Sequence, residues 1–145
     1  MLRVMVQRAA FAAGLCLSLL IAAQTPVKGG ELLAYIDVAG APGDGDQALA
    51  AALARQLASR GIESAGAPAE GAYEMQGTVR VAPGPKGKQI VDIIWVVLGP
   101  DGGQLGVTRQ TKDIRKGSLD RRWGPAADAA AHGAAQDIFK LLPNE

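Results

Sequence analysis

The sequence predicts a small α+β domain with the element order β-α-β-β-β-α, a four-stranded mixed sheet that includes an antiparallel meander, and two helices packed on one face. Three observations lead to this fold class. Residues 73–81 alternate apolar and polar side chains, residues 89–99 are apolar at nearly every position, and two alanine-rich stretches repeat apolar residues at helical spacing. With 145 residues, 48% of them hydrophobic and 20% charged, the chain suits one globular domain.

The first strand and the first helix are predicted from residues 31–62. The segment ELLAYIDVAG alternates as a strand does, and APGDGDQALAAALARQLASRGI follows it. Asp44 or Asp46 is expected to cap the helix, and Gly61 to end it in the left-handed conformation. The apolar stripe of this helix consists of Leu49, Leu53 and Leu57.

Three further strands are expected to form the meander. The strand GAYEMQGTVRVAPG turns at PGPKGK into QIVDIIWVVLG, which turns at GPDGG into the more polar strand QLGVTRQTKDI. The face of the central strand that we assign to the core under the helices carries Val91, Ile93, Trp95 and Val97. Its opposite face carries Ile90, Asp92, Ile94, Val96 and Leu98.

The last helix is predicted within KGSLDRRWGPAADAAAHGAAQDIFKLL, residues 116–142. Ser118 or Gly124 is expected to begin it, and Pro125 suits its first turn. Its apolar stripe consists of Trp123, Ala127, Ala130, Ala134, Ile138 and Leu141. Trp123 is therefore expected to be buried at the edge of the core. His132 is expected on the opposite side of the helix from this stripe.

The first 23 residues have the three parts of a secretory signal peptide: basic residues at the front, an apolar run at residues 9–23 and a small-residue exit. We expect cleavage after Ala23, a linker at residues 24–30 and a single domain at residues 31–143 in the periplasm or the medium. The alternative is that residues 9–23 are retained and anchor the protein to the inner membrane.

The only cysteine, Cys16, lies within the apolar run, with bulky Leu15 where a lipoprotein signal has a small residue. A lipid anchor is therefore the weaker interpretation. Cleavage of the signal would leave a chain without cysteine, which excludes disulfides and thiolate chemistry from the processed protein.

The remaining residues are weak candidates for catalysis or metal binding. A zinc site needs three or four nitrogen or sulfur ligands, and the processed chain offers only His132. Ser118 in KGSLD lacks the second glycine of a nucleophile elbow. We therefore expect no catalytic residue, no cofactor and no metal.

Two glycine-containing loops resemble ligand-binding loops. GPKGKQ, residues 84–89, has a spacing too short for a phosphate loop and is followed by a strand, so a hairpin turn is expected. In GDGD, Asp44 and Asp46 precede the first helix, and a loose calcium site is the alternative to helix capping.

The predicted working surface is the face of the sheet that the helices leave uncovered. Two helices in so short a chain are expected on one face, and the other face would then expose apolar residues beside charged ones, which a monomer seldom leaves in water. We predict contact with a second copy or with an envelope protein through Ile94, Val96, Leu98, Arg80 and Arg109. The alternative is that the linker or signal residues fold back over this face.

A basic stretch near the last helix is the second candidate surface. It consists of Lys112, Arg115, Lys116, Arg121 and Arg122. Such a patch suits an anionic envelope surface, such as lipid headgroups, although a solvated strand edge is the simpler interpretation. A net charge of +1 and few aromatic residues argue against a nucleic-acid partner.

With YEMQGTVRV opening the meander and GPDGGQLG in its second turn, the chain resembles a group of small bacterial envelope domains. This group includes the amino-terminal domain of the Tol-Pal translocation protein, the periplasmic part of the curli secretion channel and lipoprotein activators of penicillin-binding proteins. The stretches IIWVVLGPDGGQLG and GSLDRRWGPAADAAA also look like those of uncharacterised secreted or lipid-anchored bacterial proteins. The resemblance implies an adaptor or activator fold without catalytic residues.

Together these features predict an exported, non-enzymatic envelope binding module. One alternative is a small periplasmic hydrolase or ligand-processing enzyme with a cryptic site. Another is a structural protein held at the membrane by an uncleaved amino-terminal segment. A deep polar pocket would favour the enzyme, whereas a flat apolar or basic surface favours the module.

Overall fold

The computed structural model describes residues 32–143, and its central feature is a mixed sheet of five strands. The strands are β1 (Leu32–Ala39), β2 (Ile62–Ala65), β3 (Tyr73–Pro83), β4 (Lys88–Leu98) and β5 (Gln104–Arg115). They lie in the order β2-β1-β3-β4-β5. β1 is parallel to both of its neighbours, and β3, β4 and β5 form the predicted antiparallel meander.

The α+β class is confirmed, but the prediction of four strands is wrong. The additional strand, β2, pairs in parallel with the outer edge of β1, from Leu32 opposite Ile62 to Tyr35 opposite Ala65. It has only four residues, IESA, and of these only Ile62 is buried. A strand this short has no apolar alternation to reveal it, so only its pairing with β1 makes it a strand.

Two helices, α1 (Gly45–Ala58) and α2 (Gly124–Leu141), lie against one face of the sheet. The predicted stripe of α1 is confirmed, since Leu49, Leu53 and Leu57 are at most 1% exposed. From the sheet, Met75, Trp95 and Val97 are fully buried beneath the helices. From α2, the buried residues are Ala127, Ala131, Ala134, Ala135 and Ile138. The core is therefore one continuous layer between the sheet and the helices.

The capping prediction for α1 is wrong in detail. Asp44 occupies the N-cap position, but its side chain makes no capping hydrogen bond. Its Oδ1 instead accepts the backbone N–H of Trp123 at 2.8 Å, and Asp46 Oδ1 accepts the N–H of Ala41 at 2.8 Å. At the other end, Gly61 has a φ of 82°, which confirms the predicted left-handed residue after the helix.

Trp123 joins the start of α2 to the start of α1. Its side chain is 2% exposed, and its indole Nε1–H donates to the carbonyl of Pro42 at 2.9 Å. The backbone N–H of Asp44 in turn donates to the carbonyl of Arg121 at 2.8 Å. The prediction of a buried tryptophan at the edge of the core is confirmed, and the same residue connects two loops that are far apart in the sequence.

Both predicted turns of the meander are present. Between β3 and β4, Lys86 and Gly87 adopt positive φ values of 51° and 73°, so GPKGKQ is a hairpin turn. Between β4 and β5, the N–H of Gly99 donates to the carbonyl of Gly103 at 2.8 Å, and Asp101 Oδ1 accepts the N–H of Gly103 at 3.0 Å.

The predicted signal peptide at residues 1–23, the linker at residues 24–30 and the alternative anchor at residues 9–23 lie outside the described residues. Within residues 32–143, neither helix has the length and apolar character that a membrane span requires.

Candidate partner-binding surface

The side chains that point away from the helices form the second face of the sheet, which we call the open face. In β4 the alternation is complete, because Val91, Ile93, Trp95 and Val97 are buried and the residues between them are partly exposed. β3 alternates in the same way, with Thr78 and Arg80 exposed beside the buried Val79. The period of two in these strands therefore sorts their side chains onto two different surfaces.

An apolar strip runs along the open face on β4 and β5, and we define it as Ile94, Val96, Leu98, Leu105 and Val107. In this strip Val107 is 50% exposed and Leu105 is 38% exposed. Val96 pairs with Val107 across the two strands, and the three β4 members are partly exposed. Leu33 on β1, 37% exposed, extends the apolar character of this face.

An ion pair lies next to the apolar strip. Arg109 donates two hydrogen bonds to the Asp92 carboxylate, from Nε at 2.9 Å and from Nη2 at 2.6 Å, and the Thr111 hydroxyl donates a third at 3.0 Å. The Asp92 side chain is 16% exposed and that of Arg109 is 65% exposed. Two parallel N–H···O bonds hold the guanidinium in one orientation relative to the carboxylate.

The same cluster lowers the pKa of Asp92. The main cause is the hydrogen bonding from Arg109, partial burial opposes it, and the Thr111 hydroxyl and the positive charge of Arg80 add to it. The carboxylate in turn raises the pKa of Arg109. Asp92 is thus negatively charged whenever the protein is near neutral pH.

The structure brings together the five residues predicted for the partner surface. Ile94, Val96 and Leu98 on β4, Arg80 on β3 and Arg109 on β5 all lie on the open face. Their part in binding stays a prediction. Sequence reasoning missed Leu105 and Val107, which are the most exposed large apolar residues of β5. Leu105 and Val107 are two residues apart in QLGV, which is the spacing of side chains on one face of a strand. The polar residues that follow them made the whole strand look solvent-exposed.

The predicted basic patch is divided by the fold. Lys112 lies beyond Gln110 on the helix side of β5, whereas Arg115 falls on the opposite side of the strand. Arg121 lines a shallow cavity with Asp44, Asp46 and Gln47 at the start of α1. Lys116 and Arg122 are exposed in the segment between β5 and α2. Lys112 and Arg115 therefore lie on opposite faces of β5, and binding of an anionic surface by the basic residues stays a prediction.

A groove of about 450 Å³ lies between β5 and the first half of α2, and it was not predicted from the sequence. It exists because the facing side chains of α2 are small. Its walls and floor are Val91, Ile93, Gln110, Thr111, Lys112, Asp113, Ile114, Ala126, Ala129 and Ala130. Lys112 and Asp113 are the ionisable residues of this lining, and it contains no serine, cysteine or histidine.

The weak catalytic candidates are not assembled into a site. His132 is exposed on α2, as predicted, with Nε2 at 3.2 Å from Nε2 of Gln136. The Ser118 hydroxyl donates to the carbonyl of Arg115 at 2.8 Å. Within residues 32–143 no hydrogen bond joins these two side chains, and no cluster of three metal-ligating side chains occurs. Asp44 and Asp46, the alternative calcium ligands, each accept a backbone N–H instead.

Within residues 32–143, a mixed sheet with both helices on one face places the chain among small α+β domains. A scan against models of protein families finds no match, and a search of the curated proteins also finds none. Among solved structures, the chain is similar to a PelC dodecamer from Paraburkholderia phytofirmans, with 17% identity, a TM-score of 0.51, and coverage of 80% of this chain and 89% of that one.

Two other solved structures are similar at a lower level. A second crystal form of the PelC dodecamer has 17% identity and a TM-score of 0.47, covering 80% of this chain and 90% of that chain. A minor lipoprotein from Acinetobacter baumannii has 11% identity and a TM-score of 0.43, covering 73% and 91%. The likeness to the first PelC structure supports the α+β fold. The resemblance to the Tol-Pal, curli and activator domains stays a prediction.

Proposed function

We propose that this protein is an exported, non-enzymatic binding module of the bacterial cell envelope. It binds a protein partner, either a second copy of itself or another envelope protein, through the open face. The observation that carries the proposal is the apolar strip, with Val107 half exposed and charged residues beside it. An apolar patch bordered by charge is the arrangement that partner-binding surfaces use.

The similarity to PelC also supports the proposal that this protein binds copies of itself. In that protein a domain of similar fold assembles into a dodecamer. A single layer of helices leaves one sheet face without a cover inside the domain, and association supplies the cover from outside. The alternative of a hydrolase or ligand-processing enzyme receives little support from the groove, because the one hydroxyl of its lining, on Thr111, donates to Asp92 on the open face.

Export rests on the predicted signal peptide. Protein recovered from the envelope fraction is expected to begin at Gln24 or within a few residues of it, which intact-mass analysis would show. Retention of residues 1–23 in the membrane pellet would instead favour the anchored structural protein.

The binding surface is tested by capture from the native envelope with the exported protein as bait. The variant Ile94→Thr/Val96→Thr keeps β-branched side chains in the strand but reduces the apolar character of the strip. Ala129→Gln serves as the control, because it places a larger side chain in the groove and is compatible with a helix.

We expect the open-face variant to lose its specific partners, including unlabelled copies of the same protein, and the groove variant to keep them. Loss of the partners in Ala129→Gln alone would place binding in the groove and overturn the proposal. Equal capture by all three proteins would also contradict it.

A further inference from the structure

We infer that the partner on the open face is a second copy of this chain, related by a two-fold axis that runs across the strands through Gly77 and Trp95. In this arrangement Glu74 of each copy meets Arg80 of the other. The inference rests on the proposed function, because it identifies the partner of that same surface.

The first observation is the placement of charge on β3. Glu74 and Arg80 lie three residues before and three residues after Gly77, and both belong to the open face. Between them the same face carries only the uncharged Gln76 and Thr78. A half-turn about an axis through Gly77 therefore exchanges a negative position with a positive one, which makes this strand self-complementary.

The second observation is that two residues of the apolar strip, Ile94 and Val96, flank this centre. Gly77 pairs with Trp95 on β4, and Trp95 pairs with Thr108 on β5. The same half-turn exchanges Ile94 with Val96, so apolar residues of the two copies meet at the middle of the contact. A two-fold interface uses one surface patch on both copies. Here β3 matches itself in charge and Ile94 matches Val96, whereas Val107 would face Arg109 of the second copy.

The dimensions agree with face-to-face packing of two sheets. Six residues along a strand put Glu74 and Arg80 about 20 Å apart, so two intermolecular ion pairs would flank the apolar centre. Packed sheets lie about 10 Å apart and cross at about 30°. Near the axis, a crossing of this size displaces facing side chains by a few ångströms, within reach of an arginine.

Both charged residues are available for such a contact. Arg80 is exposed and, within residues 32–143, has no ion pair. Glu74 accepts a hydrogen bond from Gln76 at 2.7 Å. Asp92, which would face Leu98 of the second copy, already has its charge compensated by Arg109.

The expected affinity is modest. Seven residues on each of β3, β4 and β5, with the neighbouring part of β1, cover roughly 400 Å² on each copy at about 4.8 Å strand spacing, which is the size of a weak, transient contact. We therefore expect a dimer that forms at micromolar concentrations, or one contact of a larger assembly in which several such contacts act together.

The test is a pair of charge reversals, measured by sedimentation equilibrium of the exported protein. Arg80→Glu and Glu74→Arg each place like charges at both contacts and should weaken self-association roughly tenfold. An equimolar mixture of the two variants should associate as wild type does, and so should the double variant, because opposite charges meet again. Lys112→Glu, the same change of charge on the helix side of β5, is the control and should have no effect.

The outcomes separate this inference from the proposed function. Association that is unaffected by the single reversals, or that is not restored by the mixture and by the double variant, overturns the arrangement. A monomeric wild type that still captures another envelope protein through Ile94 and Val96 overturns the second copy as partner and leaves the proposed function standing. If the wild type is a monomer and its capture of partners does not depend on Ile94 and Val96, both this inference and the proposed function are overturned.

Discussion

The two faces of β4 carry similar side chains but have different surroundings. Trp95 and Val97 are completely buried under the helices, whereas Ile94 and Val96, from the same strand, are partly exposed. A strand that is apolar on both faces usually has cover on both. Within residues 32–143 the helices cover only one face, and this difference is the basis of the proposal that another molecule covers the second.

The hydrogen bonding of polar side chains also differs between the two faces. On the covered face, three buried side-chain atoms have no hydrogen-bond partner within residues 32–143: Trp95 Nε1, Thr108 Oγ1 and Gln110 Oε1. Gln110 Nε2, by contrast, donates to the carbonyl of Ala130. On the open face, Asp92 accepts three side-chain hydrogen bonds. The Asp92 carboxylate on the open face is thus well paired, whereas these three atoms on the covered face are not.

The largest expected effect comes from removing the buried tryptophan on the covered side. Trp123→Ala should lower the free energy of unfolding by about 3–5 kcal/mol, because it leaves a cavity and removes the hydrogen bond to Pro42. Val107→Ala, at a half-exposed position of the open face, should cost less than about 1 kcal/mol. Urea denaturation of dilute protein measures both. Equal losses would contradict the distinction between the two faces.

A smaller effect is expected from the same substitution made on each face. Thr108 is 8% exposed and its hydroxyl has no partner, so Thr108→Val should stabilise the fold by about 1 kcal/mol. Thr111→Val removes a hydroxyl that bonds Asp92, and it should be neutral or slightly destabilising. Thermal unfolding of the two variants compares them. Destabilisation by Thr108→Val would show that the buried hydroxyl has a partner, such as a trapped water.

The smallest effect concerns pH. The folded protein lowers the pKa of Asp92, so its contribution to stability is fully present above the ordinary carboxyl pKa and is lost as the pH falls through the lowered value. The stability difference between wild type and Asp92→Asn should therefore be largest near neutral pH and shrink in acid. In an Arg109→Gln background this dependence should largely disappear, since Arg109 is the main cause of the shift. An unchanged profile in that background would contradict the assignment.

The regular parts of the fold could be predicted because their patterns are local. The alternation in β3 and β4 and the leucine stripe of α1 depend on the spacing of side chains along one element. β2 escaped prediction because only Ile62 is buried and the strand is defined by pairing with β1. Asp44 was assigned to the wrong partner because Trp123, 79 residues away, supplies the N–H that it accepts.

The candidate surface was partly predictable for the same reason. Alternation along β4 puts Ile94, Val96 and Leu98 on the same face of the strand. Because the sequence predicts only two helices, both on the other face, these residues were expected to be uncovered. The sequence alone does not reveal the groove beside α2, because its volume depends on how far Ala126 and Ala129 stand from β5. Nor does the sequence reveal that Gly77 lies opposite Trp95, because this depends on the register between β3 and β4.

The most direct test of the account compares matched double variants on the two faces of β4. Ile94→Thr/Val96→Thr changes the open face, and Ile93→Thr/Val97→Thr makes the same changes on the covered face. Urea denaturation and sedimentation equilibrium are measured on both. The account predicts that the covered-face variant loses several kcal/mol of stability, whereas the open-face variant keeps its unfolding free energy at low concentration and no longer self-associates. An open-face variant that unfolds like its covered-face counterpart, or that associates like wild type, would contradict it.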